Sequence, residues 1–227
     1  MGYKELIEKA NLGLHDAAFE VLNPFLTPGM KILDCGAGSG AFALRLKDIG
    51  CYVEAIEVDI DSFFPNDITC YKGNLNDDFS SLIDNTFDII TAIEVIEHIE
   101  NPRHFLRQCY NLLNSNGNVL ITTPNVECIP GRLKFLLKGT LRGFEFDTYK
   151  DPNLHEAQHI TPIFSSLFMR VVTDTGFSII NHVGYPSKNS FLNSRWIFTI
   201  TSKIVAPFLR GCKYGENHIF LLEKSNF

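Results

Sequence analysis

Apolar positions along this 227-residue chain alternate between two spacings. Short, nearly continuous apolar and β-branched runs are separated by stretches in which apolar residues recur at helical spacing. That alternation predicts strands joined by helices, and hence a doubly wound parallel sheet. Residues 4–25 read as helix in two pieces broken near Gly13. Residues 31–35 form the first strand, 41–49 a helix stopped by Gly50, 52–56 the second strand and 68–71 the third. Only about ten residues, Phe63, Phe64 and Pro65 among them, join the second strand to the third, too few for a helix and its two connections. That crossover is predicted to be truncated. The fourth strand is 87–93, after which Asn101 and Pro102 supply an N-cap and a first-turn proline for a helix carrying Phe105, Leu106, Cys109, Leu112 and Leu113. Residues 119–122 form a fifth strand, 164–174 a helix ended by Gly176, 177–183 a sixth strand and 218–223 a seventh.

The pattern describes one domain over 1–227, with two segments, 124–161 and 184–214, standing outside the alternation. Insertions there sit above the carboxyl edge of the sheet, where open α/β folds hold their ligand crevice, so they are expected to form a substrate lid. The first mixes Arg132, Lys134, Lys138 and Arg142 with Leu133, Phe135, Leu136, Leu137, Leu141 and Phe144, a basic amphipathic pattern that 195–210 repeats more weakly. Three readings stay open for it: a lid with solvated cations, a peripheral membrane contact, and a subunit interface of the kind a homodimer would use.

Composition narrows the class. A formal net charge of −6 and a pI near 5.6 give no basic footprint for a phosphate backbone, so a nucleic-acid partner is not expected. The cysteines at 35, 51, 70, 109, 128 and 212 include no C-x-x-C pair and read as reduced thiols of a cytoplasmic protein. No secretory leader, myristoylation motif or bilayer-spanning run is recognised.

The chemistry concentrates at 31–40, where an apolar strand ends in Asp34 and runs into a turn containing Gly36, Ala37, Gly38 and Gly40. Glycine permits sharp turning and close approach of a ligand to backbone. Gly36, Gly38 and Ala41 alone would also satisfy the dinucleotide fingerprint. Asp34 weighs against that reading, because a pyrophosphate beside the turn would be repelled, whereas the ammonium and sulfonium of S-adenosyl-L-methionine would be attracted.

With Glu57 ending the second strand, the Phe87–His98 run (Phe-Asp-Ile-Ile-Thr-Ala-Ile-Glu-Val-Ile-Glu-His) and the Asn116–Asn125 run complete a set of four motifs in order. Over residues 31–183 and the terminal strand the chain resembles the class I S-adenosylmethionine-dependent methyltransferases, and in particular the small-molecule O-methyltransferases of ubiquinone biosynthesis. The resemblance implies an α/β Rossmann-like seven-stranded mixed sheet in the order 3-2-1-4-5-7-6, with strand 7 antiparallel. It also implies that Glu57 holds both ribose hydroxyls, and that Asn74, Leu75, Ile93 and Glu94 frame the adenine and the methionine moiety. Asp is common in the family where Asn74 stands. Asn accepts a hydrogen bond there without a charge. Backbone N–H groups after Gly40, at a helix start, suit the methionine carboxylate.

Methyl transfer from a sulfonium is an in-line displacement that asks mainly for alignment and desolvation. A hydroxyl acceptor also needs a base, and a neutral histidine suits that task. His98, in the family's Glu97-His98 pair, His159, before Ile-Thr-Pro, and His155 are the candidates; His15 reads as a residue closing over the cofactor, and His104, His182 and His218 as surface or packing residues. No metal-ligand spacing stands out, so no catalytic metal is expected. The acceptor expected is a hydroxyl on a small molecule, a quinone or phenol precursor, or a sugar of a surface glycan, so the partner is a small-molecule or a lipid- or glycan-linked acceptor. Two alternatives stand beside it: an NAD(P)-dependent oxidoreductase, and an inactive cofactor-binding subunit that supports a partner.

Overall fold

The computed structural model describes residue 6 and residues 10–144, 159–186 and 215–225. Seven strands form one sheet: β1 (Lys31–Cys35), β2 (Tyr52–Glu57), β3 (Thr69–Lys72), β4 (Phe87–Ile93), β5 (Leu113–Pro124), β6 (Phe177–Tyr185) and β7 (Asn217–Lys224). Their order is β3-β2-β1-β4-β5-β7-β6, with β7 antiparallel to both neighbours and the pairs from β3 to β5 parallel, as the resemblance implied.

Both faces of the sheet are covered, which is why its central strands are apolar without a break. Along β1, Ile32 faces one cluster and Leu33 the other; Ile89 and Ile90 on β4, and Leu221 and Phe220 on β7, divide the same way. One face packs under α1 (Leu14–Leu22) and α2 (Ala41–Asp48), through Leu14, Ala18, Leu22, Phe42 and Leu46. The other packs under α3 (Pro102–Leu112) and α5 (Ser165–Asp174), through Phe105, Leu106, Cys109, Phe168 and Val172. Asn101 caps α3 as expected, its side chain accepting from the His104 N–H with Pro102 in the first turn.

The crossover from β2 to β3 is shortened to a single 3-10 turn, Ile60–Ser62. The chain after it lies on the glycine turn instead: the Phe64 N–H donates to the Ser39 carbonyl at 3.3 Å, and a Cβ on Gly40 would stand 2.5 Å from Pro65. Two elements differ from expectation. The fifth strand begins at Leu113 rather than 119, because Phe87 pairs with Leu113 across a register shift; Asn116 takes a positive φ of 63° there, and Gly117 fits where a Cβ would meet Leu113 and the Asp88 carbonyl. The basic amphipathic segment contains a helix, α4 (Ile129–Lys138), whose N-cap is the Cys128 thiol accepting from Gly131. Of the two expected insertions, residues 145–158 and 187–214 lie outside the described residues. The described cysteines, 35, 51, 70, 109 and 128, are all free thiols, and Cys212 lies outside.

Candidate active site

The carboxyl ends of β1, β2 and β4 converge on the glycine turn. Gly36, Gly38 and Gly40 all have positive φ, 67°, 54° and 83°, and a Cβ on Gly36 would come within 2.6 Å of Val95. The turn therefore tolerates no side chain at Gly36, and its backbone is left bare toward an open cleft lined by Ala10, His15, Asp34, Ala37, Phe42 and Ile93. His15 closes one wall, its ring edge-on to Phe42; burial, then the charge of Arg45, lowers its pKa to about 4 and keeps it neutral.

Asp34 is almost wholly buried. Its Oδ1 accepts from the Thr91 hydroxyl at 2.6 Å, while Oδ2 has no hydrogen-bond partner among the described residues. Burial raises its pKa to about 7, with the Thr91 bond opposing the rise and the charge of Glu57 adding to it. Glu57 stands at the end of β2 and binds the turn directly: Oε2 accepts from the Gly38 N–H at 2.7 Å, and Oε1 from the N–H groups of Val58 and Asp59 at 3.0 and 3.2 Å. A carboxylate has about four lone-pair sites, so acceptor capacity remains for a ligand.

After β3, Asn74 is exposed and its carbonyl accepts from the Asn76 N–H at 3.0 Å, an Asx-turn. Leu75 is buried, one methyl 3.7 Å from where a Gly36 Cβ would lie. Ile93 lines the cleft and Glu94 follows it with φ 54°, a left-handed conformation uncommon for a side-chain-bearing residue. Thr122 clamps that residue, its hydroxyl accepting from the Glu94 N–H at 3.0 Å and donating to Glu94 Oε1 at 2.9 Å; Asn217 donates to Oε2 at 2.9 Å. Burial raises the Glu94 pKa to about 7 against those two bonds.

One turn farther on, a 3-10 segment at Ile96–His98 carries Glu97 and His98. The stretch beginning at His159 is docked onto it: the N–H groups of Ile160 and Thr161 both donate to the Glu97 carbonyl at 2.9 Å, and the Thr161 hydroxyl donates to the Ile99 carbonyl at 2.5 Å. His159 is thereby set edge-on to His98, ring centroids 4.8 Å apart, with Nε2 4.0 Å from Glu97 Oε1 and Phe144 against its other side at 5.3 Å. Glu97 is fully buried and neither carboxyl oxygen accepts a hydrogen bond from the described residues, so burial, then the Glu94 charge, raises its pKa well above the usual carboxylate range. Burial and then the His98 charge lower the pKa of His159 to about 4.

His98 and His159, far apart in sequence, are thus brought together; His155 lies outside the described residues. Glu97 was not among the candidates, since only the docked His159 segment reveals what its carboxyl faces. Although no metal was expected, one ligand atom from each of Glu97, His98 and His159 lies within 4.8 Å of the others, a donor set able to hold a divalent cation or pass a proton. His182 and His218 form a separate pair, Nε2 to Nδ1 at 3.0 Å, on the β6–β7 edge.

Comparison with known proteins places the chain. The family described as "Methyltransferase domain" matches residues 7–182. The ubiquinone biosynthesis O-methyltransferase of Glaesserella parasuis is 34% identical over 109 residues, 43% of this chain and 46% of that protein. Its mitochondrial counterpart in Schizosaccharomyces pombe is 27% identical over 130 residues, 52% of this chain and 46% of that protein. The match thus spans about half the length of these curated relatives. Among solved structures, a SAM-dependent methyltransferase from Archaeoglobus fulgidus superposes with a TM-score of 0.65 at 17% identity, covering 93% of both chains. Haemonchus contortus phosphoethanolamine N-methyltransferase 2, solved with S-adenosyl-L-methionine, gives 0.60 at 14% identity over 96% of this chain and 54% of that one. These structural likenesses establish the fold.

Proposed function

The chain belongs to the methyltransferase-domain family, and from that premise we propose that it transfers the methyl group of S-adenosyl-L-methionine to a hydroxyl of a small molecule, a quinone or phenol precursor above all. The observation that carries the cofactor is Asp34: a buried carboxyl with one oxygen unpartnered, lining the cleft under a bare glycine turn. A pyrophosphate would be repelled there, while an ammonium or sulfonium supplies the missing counter-charge. Family membership weighs the same way against hydride transfer from a nicotinamide. The phenolic acceptor is supported by the ubiquinone O-methyltransferases among the relatives.

Asp34 faces the cationic end of the cofactor, Glu57 offers its one remaining lone-pair site to a ribose hydroxyl, and Asn74 and Leu75 border the adenine. Gly36, Ala37, Gly38 and Gly40 give the cofactor close backbone contact, and the start of α2 suits its carboxylate. Ile93 and Glu94 complete the wall. When bound, the cofactor supplies a methyl group already activated on a sulfonium. What remains for the chain is to align the acceptor oxygen, exclude water and take the hydroxyl proton.

His159 is the residue proposed to take it, with His98 beside it. Held neutral at physiological pH, the His159 ring has a lone pair to offer. Once protonated it favours ionisation of Glu97 below it, so that positive charge on the ring is met by negative charge on the buried carboxyl.

Calorimetric titration with S-adenosyl-L-methionine, S-adenosylhomocysteine and NADH tests the cofactor. Micromolar binding of the first two, about −8 kcal/mol, is expected; binding of NADH alone overturns the reading. With a hydroxyl acceptor in hand, His159→Ala should lower turnover by about 10²–10⁴-fold while cofactor affinity stays unchanged. Full turnover in both His159→Ala and His98→Ala would remove the assigned base and leave the cofactor reading standing.

A further inference from the structure

The chain leaving α4 turns back toward His159. Gly139 ends the helix with φ 67°. Residues 141–144 then form a β-turn, the Phe144 N–H donating to the Leu141 carbonyl at 3.2 Å, with Gly143 third at φ 83°, the left-handed conformation a type II turn requires there. This turn backs the imidazole: a Cβ on Gly143 would stand 3.1 Å from His159 Nδ1, and the Phe144 ring lies 5.3 Å from the His159 ring. The second residue of the turn ties it to the sheet. Arg142 forks onto Glu216, Nη1 to Oε1 and Nη2 to Oε2, both at 3.1 Å. Glu216 is fixed in turn by its backbone, its N–H donating to the Tyr185 carbonyl and its carbonyl accepting from the Asn125 N–H, both at 2.7 Å, where β6 and β5 end. Its neighbour Asn217 reaches the other way and donates to Glu94 at the cofactor wall.

We propose that Arg142 and Glu216 are positioning residues for methyl transfer, their fork holding the 141–144 turn against His159 and so fixing the tilt of its ring. This rests on the reading of His159 as the base. Two parallel N–H···O bonds set orientation as well as distance, which a single ammonium contact does not. The two side chains are 39% and 12% exposed, and a pair this open to water adds little to stability, so its effect is geometric. The imidazole has His98 at its edge, Glu97 on one side and the turn behind it. With the turn released, the ring is free to swing away from the acceptor oxygen, and a misplacement of about 1 Å costs on the order of 10² in rate. Because Glu216 and Asn217 are adjacent, one short stretch of chain holds the acceptor wall and the cofactor wall in fixed relation. In-line transfer between them demands that.

The test reads the ring itself, by nuclear magnetic resonance of the full chain with isotope-labelled histidine and no acceptor present. The His159 ring signals, identified by their loss in His159→Ala, should move and broaden in Arg142→Ala and in Glu216→Gln. They should move less in Arg142→Lys and return toward the parent in the swapped pair Arg142→Glu, Glu216→Arg. The His104 signals, from α3, should stay in place, and the melting temperature should stay within about 4 °C of the parent. Unmoved His159 signals overturn the proposal. So do shifts spread over all the histidines, because the fork would then only hold the fold together. With catechol as the probe acceptor, turnover in Arg142→Ala should fall about ten- to a hundred-fold while affinity for S-adenosylhomocysteine is unchanged, and Arg142→Ala should cost nothing further in a His159→Ala background. Parental turnover in Arg142→Ala beside a loss in His159→Ala overturns the positioning and leaves the base standing; parental turnover in His159→Ala removes the base, and the positioning with it. The ring signals decide the matter where catechol is not turned over.

Discussion

Asp34 is the residue whose chemistry is most altered by its position. Burial lifts its pKa from 3.8 to about 7. An acid whose folded pKa is raised costs stability once the unfolded chain has ionised it, so the cost begins above about pH 4, grows until about pH 7 and is constant beyond. At 1.36 kcal/mol per pKa unit the ceiling is about 4 kcal/mol. Asn in its place still accepts from Thr91 and never ionises. Asp34→Asn should therefore melt at a higher temperature than the parent at pH 8, with the difference shrinking toward pH 4; a constant difference across that range would mean the carboxyl is not the titrating group. Binding should move the opposite way. If a cation occupies the cleft, parent affinity for S-adenosyl-L-methionine rises with pH toward a plateau above about pH 7, and the Asn variant binds weakly without that rise, as calorimetry at several pH values would read.

At the level of elements, the same features that made the sequence readable set its limits. Strands β1 and β4 were legible to the residue, since a strand covered on both faces is a continuous apolar run, and α3 was legible from the Asn101-Pro102 start. The shortened crossover was also legible, from chain length alone. The early start of β5 was hidden because Asn114, Ser115, Asn116 and Gly117 carry the chemistry of a turn, yet the strand absorbs them through a positive φ at Asn116. The cap of α4 was hidden because it is a thiol, outside the usual Ser, Thr, Asp and Asn set. Of the site, the glycine turn, Asp34 and Glu57 were legible, being local in sequence. The union of Glu97 with His159 was not, because it depends on two backbone bonds made between segments 62 or more residues apart. What the glycine turn cannot reveal from sequence is its neighbour: Phe63 and Pro65 occupy the space a Gly40 side chain would need, 2.8 and 2.5 Å away, and φ there is 83°. Gly40→Ala should therefore push the 60–65 segment off the turn, lowering the melting temperature by several degrees and weakening S-adenosyl-L-methionine binding at least ten-fold. A variant with parental melting and affinity would show that this packing is not tight in solution.

At the scale of the molecule, the strand order converts distant parts of the chain into one wall. Asn217, at the start of β7, is fully buried; its Nδ2 donates to Glu94 Oε2 at 2.9 Å and its Oδ1 accepts from Asn11 at 2.8 Å. Because β7 inserts between β5 and β6, a residue near the end of the chain joins the segment before α1 to the end of β4. Thr122 on β5 holds the other Glu94 oxygen. Glu94 keeps its left-handed backbone within this set of four. Asn217→Ala leaves Glu94 Oε2 and the Asn11 amide without their partner, at about 1–3 kcal/mol, which for a chain of this length lowers the melting temperature by roughly 2–12 °C. The loss should not stop at stability. Ala10 and His15, on either side of the same segment, line the cleft, so loosening Asn11 loosens that wall. Cofactor affinity should fall in Asn217→Ala, and the rise in melting temperature on adding S-adenosylhomocysteine should be smaller than in the parent. Asn217→Asp separates the two halves of the network. It keeps an acceptor for Asn11 but faces Glu94 with a second carboxyl, so its penalty relative to the parent should grow as pH rises through about 7, where Glu94 loses its proton. A pH-independent penalty would show that the two carboxyls do not meet as charges, leaving only the lost bond from Asn217 Nδ2 to Glu94.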